Sequence, residues 1–185
     1  MKVIKTKIDG VLILEPKLFA DSRGYFFESF NKKAFEEAVG RYIDFVQDNE
    51  SCSSKGVMRG LHYQCPPHAQ AKLVRCVRGT VIDVALDIRK NSSTYGKYVS
   101  CLLSEQNHRQ FFIPRGFAHG FAVLSDTAVF QYKCDNYYCP EADGGISIID
   151  SSLGIDWQIE FSEAILSKKD KNHALFKDFN SPFDI

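Results

Sequence analysis

An all-β sandwich or barrel is the fold class this sequence predicts, and three features predict it. Fifteen Phe and eight Tyr stand against one Trp, a bias toward side chains that suit a half-buried pleated surface. The run Val81 to Ile88 alternates, with Ile82, Val84, Leu86 and Ile88 on one face and Asp83 and Asp87 on the other. Short apolar runs then follow one another closely, separated by turn residues such as Arg78-Gly79, Pro114, Gly116 and Ser125-Asp126.

The first regular element with clear punctuation is a helix over Lys32–Val39. Ala34, Phe35, Ala38 and Val39 form its apolar stripe, Asn31 is placed to cap its start, and Gly40 stands just past its end. Leu73–Val77 and Thr80–Ile88 read as a hairpin across Arg78-Gly79. Strands are expected over Tyr98–Ser104, Gln110–Ile113, Phe117–Leu124 and Ala128–Cys134. A second short helix is expected near Ser162–Ser167, with Ser162 as its cap. No repeat, low-complexity tract or Ser/Gly linker interrupts the chain, so residues 1–185 read as one domain, long enough to bury a substantial core.

Lys+Arg and Asp+Glu both number 23, so the formal net charge is zero. That balance excludes broad electrostatic attraction to nucleic acid while leaving room for a local phosphate pocket. No stretch approaches the ~20 apolar residues of a membrane span, and Met1-Lys2-Val3-Ile4-Lys5-Thr6-Lys7 has no apolar signal-peptide region. Six cysteines without a C-x-x-C pair read as unpaired thiols in a reducing cytoplasm. Neither G-x-G-x-x-G nor G-x-x-x-x-G-K-[ST] occurs, which removes the usual dinucleotide and nucleoside-triphosphate motifs.

Functional groups stand where strands should be apolar. Over Arg59-Gly60-Leu61-His62-Tyr63-Gln64, alternation places Arg59, Leu61 and Tyr63 on one face and His62 and Gln64 on the other, and one face of a small barrel lines its lumen. A lone strand histidine is more often structural than catalytic; company changes that weighting. Lys72 opens a mostly apolar strand, either as a solvated strand start or as an inward cation awaiting an anion or a developing oxyanion. His119, within Pro114–Phe121, is either a core histidine bonded to backbone or a binding group. Tyr132 shares a face with Phe130 and Cys134, where its phenol either packs or donates a proton. Asp170 ends a charged cluster that is either a solvated turn or the orienting partner of a histidine. The histidines at 62, 68, 108, 119 and 173 contain no H-x-H, H-E-x-x-H or H-x-x-x-H, so a resident metal is not expected, and no G-x-S-x-G supports a serine hydrolase.

Several segments, in this order and spacing, carry a family resemblance. They are Asp21–Phe30, Gln47-Asp48-Asn49, Ser54–Gln64, Ala71–Arg75, Ile113–Phe121, Tyr132-Lys133-Cys134 and Leu166–Asp170. The chain resembles the dTDP-4-dehydrorhamnose 3,5-epimerase family over essentially its whole length. The resemblance implies a cupin-type jelly-roll barrel with a few short helices at the periphery and C-terminus, without metal or other cofactor, acting as a homodimer. It implies epimerisation at C3 and C5 of dTDP-4-dehydro-6-deoxy-D-glucose, giving dTDP-4-dehydro-L-rhamnose. By position, His62 is implied to be the base, Asp170 its orienting partner, Tyr132 the acid on the opposite ring face, and Lys72 the cation at the 4-keto oxygen. Arg23, Phe26, Glu28, Gln47, Asn49, Arg59, His119, Asp143 and Lys168 match substrate-binding positions, with Tyr138 stacking on thymine. Part of the Arg23–Glu28 segment is implied to serve the neighbouring subunit. Two departures stand out: Asp143 occupies a usual Glu position, implying a shortened or water-bridged contact, and Gly145–Asp150 lacks an expected Trp before Gly154-Ile155-Asp156-Trp157. The alternatives within this fold are an epimerase acting at one carbon, a ketoisomerase, a non-catalytic sugar-nucleotide-binding cupin and a metal-dependent cupin oxygenase.

Overall fold

The computed structural model describes residues 1–184. Its chain begins with β1 (Lys2–Lys5), β2 (Leu12–Glu15), a small hairpin of β3 (Phe19–Asp21) and β4 (Gly24–Phe26), and helix α1 (Lys32–Val39). The barrel strands follow: β5 (Gln47–Ser54), β6 (Met58–Gln64), β7 (Lys72–Arg78), β8 (Thr80–Asp87), β9 (Arg89–Lys90), β10 (Tyr98–Ser104), β11 (Gln110–Ile113), β12 (Phe117–Val123), β13 (Thr127–Cys134) and β14 (Asp143–Gly145). A largely irregular C-terminal segment carries α2 (Lys168–Lys171) and ends in β15 (Phe183–Asp184).

One sheet runs β1-β2-β11-β7-β13-β5 and the other β10-β8-β12-β6-β14. Every pairing within these two sheets is antiparallel. Val74, Cys76, Phe111, Ile113 and Phe130 from the first sheet meet Val81, Ala85, Phe117, Phe121 and Val123 from the second. This is a cupin-type jelly roll, two sheets closed over a shared core.

Both outer faces are also covered. Phe35 of α1 packs on Leu12, Leu14, Leu73 and Phe112 behind the six-stranded sheet, its ring meeting Phe112 edge-on at 5.2 Å between centroids. Behind the five-stranded sheet, Ile146, Ile148, Leu153, Trp157 and Phe183 cover Leu61, Ile82, Val84, Leu86 and Ile88. Strand β8 is therefore buried on both sides. The expected alternation holds, but Asp83 and Asp87 face the interior and are fully buried. Asp87 is compensated by Arg89 at 2.7 Å and by the hydroxyls of Ser92 and Thr94, which donate to it.

Helix α1 forms over the expected residues, with Ala34 N–H donating to the Asn31 side chain at 3.1 Å and Gly40 left-handed at φ 74°. The strands expected between Leu73 and Cys134 are all present, with ends shifted by one residue at most. The second helix is a correction. Phe161–Glu163 makes only a short 3-10 turn, and the α-helical turn starts at Lys168, capped by Ser167 rather than Ser162. Beyond Glu163 the chain is extended, Ile165 N–H donating to the Gly56 carbonyl and its carbonyl accepting from the Met58 N–H, so Ser162 caps no helix, whereas Ser167 accepts from the Asp170 N–H three residues on.

Candidate active site

Arg59 and His62 were expected on opposite faces of β6, yet both line one cavity of about 280 Å3. The reason is a bulge. His62 pairs with His119 while Arg59 pairs with Phe121, so three steps along β6 oppose two along β12. Met58 and Leu61 point to the outer core, and the extra residue, Gly60, lets Arg59 and His62 both turn inward. Only glycine suits that position. Its φ is 122°, and a Cβ would lie 2.6 Å from both the Gly120 Cα and the His119 carbonyl oxygen.

The residues expected to carry acid–base chemistry meet in this cavity: His62, Lys72, Tyr132 and Asp170 all line it, with Arg59 and His119. Helix α2 delivers Asp170 from the C-terminal segment, 108 residues from its partner, and His62 Nε2 bonds Asp170 Oδ1 at 2.5 Å. With Nε2–H donating to the carboxylate, the lone pair sits on Nδ1. Burial would raise the Asp170 carboxyl, but hydrogen bonds from His62 and from the Ser167 hydroxyl, at 2.8 Å, hold it below the usual carboxylate range. An imidazolium formed at His62 would therefore meet an ionised partner.

Lys72 has no carboxylate partner among the described residues; its Nζ lies 5.7 Å from the Tyr132 ring centroid. Burial lowers its ammonium below 10.5, against the opposing charges of Cys134, Asp143 and Asp83. Burial likewise raises the Tyr132 phenol, which keeps it protonated and able to donate. His119 is a satisfied histidine, but its partner is the Asp83 carboxylate, at 3.0 and 2.9 Å, instead of backbone. Exclusion of water pushes both members of that pair toward their neutral forms. Asp83 was legible in the sequence as a charge in an apolar strand; its role under His119 was not.

Other expected residues lie at the rim or elsewhere. The Tyr138 hydroxyl donates to Asp143 at 2.8 Å, and Asp143 also pairs with Lys169. Lys169 lines the cavity, whereas neighbouring Lys168 is exposed and gives only its carbonyl, to Asn172. Gln47 donates to Asn49 at 3.0 Å and accepts from the Tyr138 N–H at 3.0 Å. Asn49 lines an adjoining cavity of about 320 Å3 that shares Glu50 and Tyr132 with the first. Arg23, Phe26 and Glu28 are not brought to either site by their own chain: Arg23 pairs with Asp21, Glu28 accepts from Asn31, and Phe26 is 67% exposed.

Fold and site together define a jelly-roll protein whose lumen presents acid–base side chains around a half-buried lysine. The family model for dTDP-4-dehydrorhamnose 3,5-epimerase matches residues 5–178. An Escherichia coli (strain K12) protein of that name is 58% identical over 171 residues, covering 92% of each chain. The solved dTDP-4-dehydrorhamnose 3,5-epimerase of Elizabethkingia anophelis superposes with a TM-score of 0.93 at 56% identity, covering 97% of this chain and 98% of that one. A Legionella pneumophila dTDP-6-deoxy-D-glucose-3,5-epimerase, solved with dTDP-4-keto-L-rhamnose, gives 0.92 at 49% identity, covering 97% and 94%. The chain belongs to the dTDP-4-dehydrorhamnose 3,5-epimerase family.

Proposed function

We propose that this chain inverts C3 and C5 of dTDP-4-dehydro-6-deoxy-D-glucose, yielding dTDP-4-dehydro-L-rhamnose for dTDP-L-rhamnose synthesis. The observation that carries the reading is the convergence of the His62–Asp170 pair, Lys72 and Tyr132 on one cavity. A C4 carbonyl acidifies the hydrogens at C3 and C5, because either carbanion delocalises onto O4 as an enolate. His62 Nδ1 removes the proton, and Asp170 stabilises the resulting imidazolium. Lys72 stabilises the enolate oxygen. Tyr132 returns a proton from the opposite ring face. Each carbon is inverted with no change of oxidation state, so no redox cofactor is needed.

Residues 1–185 act in this reading as one catalytic domain. Gln47, Asn49, Arg59, His119, Asp143 and Lys168 hold the nucleotide sugar, with Tyr138 stacking on the thymine. The protein works as a homodimer in which the β3–β4 hairpin of each chain reaches the partner's site with Arg23, Phe26 and Glu28. Support comes from the aromatic surface of that hairpin, where Phe19, Tyr25 and Phe26 are all exposed. The six cysteines are all free, which fits a reducing cytoplasm; no helix among the described residues is long and apolar enough to cross a membrane.

The test is solvent exchange. With purified protein and dTDP-4-dehydro-6-deoxy-D-glucose in deuterated water, deuterium enters C3 and C5 and the product NMR shows both centres inverted. His62→Ala abolishes incorporation at both carbons. Incorporation retained in that variant overturns the assignment of the base; inversion at a single carbon in the unmodified protein replaces the reading with a monoepimerase.

A further inference from the structure

Asp170 has a second histidine neighbour. His173 Nε2 lies 3.8 Å from Asp170 Oδ1, the same oxygen that His62 Nε2 meets at 2.5 Å. Ligand atoms of these three residues all lie within 4.8 Å of one another, the one such His/Cys/Asp/Glu group among the described residues. His173 Nε2 is buried and has no hydrogen-bond partner, a condition shared among the described side chains only with the Trp157 indole. The His173 side chain is nine-tenths buried and Asp170 more so. The position of the ring is set by packing: a Cβ on Gly145 would lie 1.9 Å from His173 Cε1, so the imidazole occupies the space that glycine leaves. Gly145 is in turn paired with His62 across β14 and β6. A buried imidazole nitrogen left without a partner is costly, and this one points at a carboxylate already engaged by another imidazole.

We propose that His62, Asp170 and His173 form an inhibitory site for a divalent transition-metal ion of the Zn2+ class. Two imidazoles and one carboxylate are the ligand chemistry such ions take, with water completing a tetrahedron. Ligands at ~2.0–2.2 Å from a tetrahedral ion stand roughly 3.3–3.6 Å apart. The His62–Asp170 separation must widen from 2.5 Å and the His173–Asp170 separation close slightly from 3.8 Å to bracket the ion. The bonding changes are simple. The ion takes the Nε2 lone pair of His62 in place of the proton now donated to Asp170, and the single proton of the neutral ring moves to Nδ1. Nδ1 is the nitrogen that must be bare to accept a substrate proton. Occupancy therefore removes the base without blocking the cavity. The loss of activity rests on the reading of His62 given under Proposed function; the binding of the ion does not.

Binding and catalysis are measured separately on the full-length chain. Zn2+ is titrated by competition with a chromophoric chelator, and Co2+ is added as a spectroscopic probe. One high-affinity Zn2+ per chain is expected, with a Co2+ visible spectrum of tetrahedral N/O ligation and no near-ultraviolet thiolate band. His173→Phe, which keeps a ring over Gly145, weakens Zn2+ binding by roughly 100-fold or more; His173→Gln, smaller and polar, does the same. Zn2+ stops deuterium exchange in the unmodified protein, and EDTA restores it. In each His173 variant, the Zn2+ concentration that halves that variant's own metal-free rate rises in step with the weakened binding. Unchanged affinity in both variants overturns the site, as does a thiolate band from the solvent-reaching Cys52, Cys65 or Cys139. Tight binding lost in the variants but without effect on exchange overturns the inhibitory role. A protein inactive before any metal is added indicts the epimerase reading instead, and the titrations still decide the site.

Discussion

His62 can serve as a base only while something occupies its Nε2 proton, and Asp170 does so from a buried position that hydrogen bonds keep ionised. Tyr132 faces the opposite demand. As the proposed acid, it must keep its proton until a carbanion forms, and burial, by raising its pKa, favours that state. Tyr132→Phe is therefore expected to keep deuterium exchange while net inversion falls by roughly 10²–10⁴-fold; equal loss of exchange and inversion would remove it from the acid role. Lys72 supplies a pH test with a definite sign. In the proposed reaction the enolate needs the ammonium form, and burial lowers the pKa of that form below 10.5. The alkaline limb of kcat/KM set by Lys72 is thus expected below pH 10.5. Lys72→Arg, whatever its residual rate, is expected to lose that limb, because a guanidinium stays charged. A limb unmoved in that variant would assign it to another group.

At the scale of elements, the decisive feature is one extra residue in β6. The expected split of Arg59 from His62 followed from strict alternation, and alternation fails where Gly60 makes the bulge. The signal was present, since an isolated glycine within a strand pattern marks a bulge or a close backbone approach. What could not be read was which neighbours it would re-aim. Gly60→Ala is expected to destabilise by about 2–4 kcal/mol in urea unfolding, because its Cβ meets backbone atoms of β12 at 2.6 Å. Activity should fall with it, as Arg59 and His62 lose their common orientation; a variant of ordinary stability and rate would show that the bulge is not needed. Strand β5 escaped sequence reading for another reason. Gln47–Ser54 is almost wholly polar, and its extended form comes from pairing with β13 at the sheet edge, not from propensity. The helix near Ser162 does not form because Ile165 is drawn into an extended bridge with Val57 beside β6, a long-range pairing that local pattern does not show, whereas Ser167 caps a turn anchored by buried Asp170.

Across the whole molecule, an all-β sandwich or barrel was legible because strands such as β8 alternate and the turns are punctuated; the jelly roll itself came only from the family resemblance. The pairing of distant site residues was not, because nothing local relates Asp170 to His62 across 108 residues or Asp83 to His119 across 36; the family resemblance alone suggested the first. The arm residues Arg23, Phe26 and Glu28 matter at this scale too, since their own chain leaves them outside the cavity. Size-exclusion chromatography should give twice the 21.0 kDa chain mass. Arg23→Ala and His62→Ala chains, each inactive alone, should regain about a quarter of full activity when mixed, because a hybrid dimer holds one site free of both lesions. No recovery would mean that each arm serves its own chain. The C-terminal segment carries a consequence for how the protein is made. Both sheets are complete once Gly145 has emerged from the ribosome, yet Asp170 has still to be translated. A nascent chain can close its barrel around a histidine that has no anchor, with the apolar back of β8 and β12 still awaiting Trp157 and Phe183. On the proposed mechanism, a chain terminated before Asp170 lacks both the anchor of His62 and the cover of Phe183 over that apolar surface, so it is at once chemically silent and exposed to quality control.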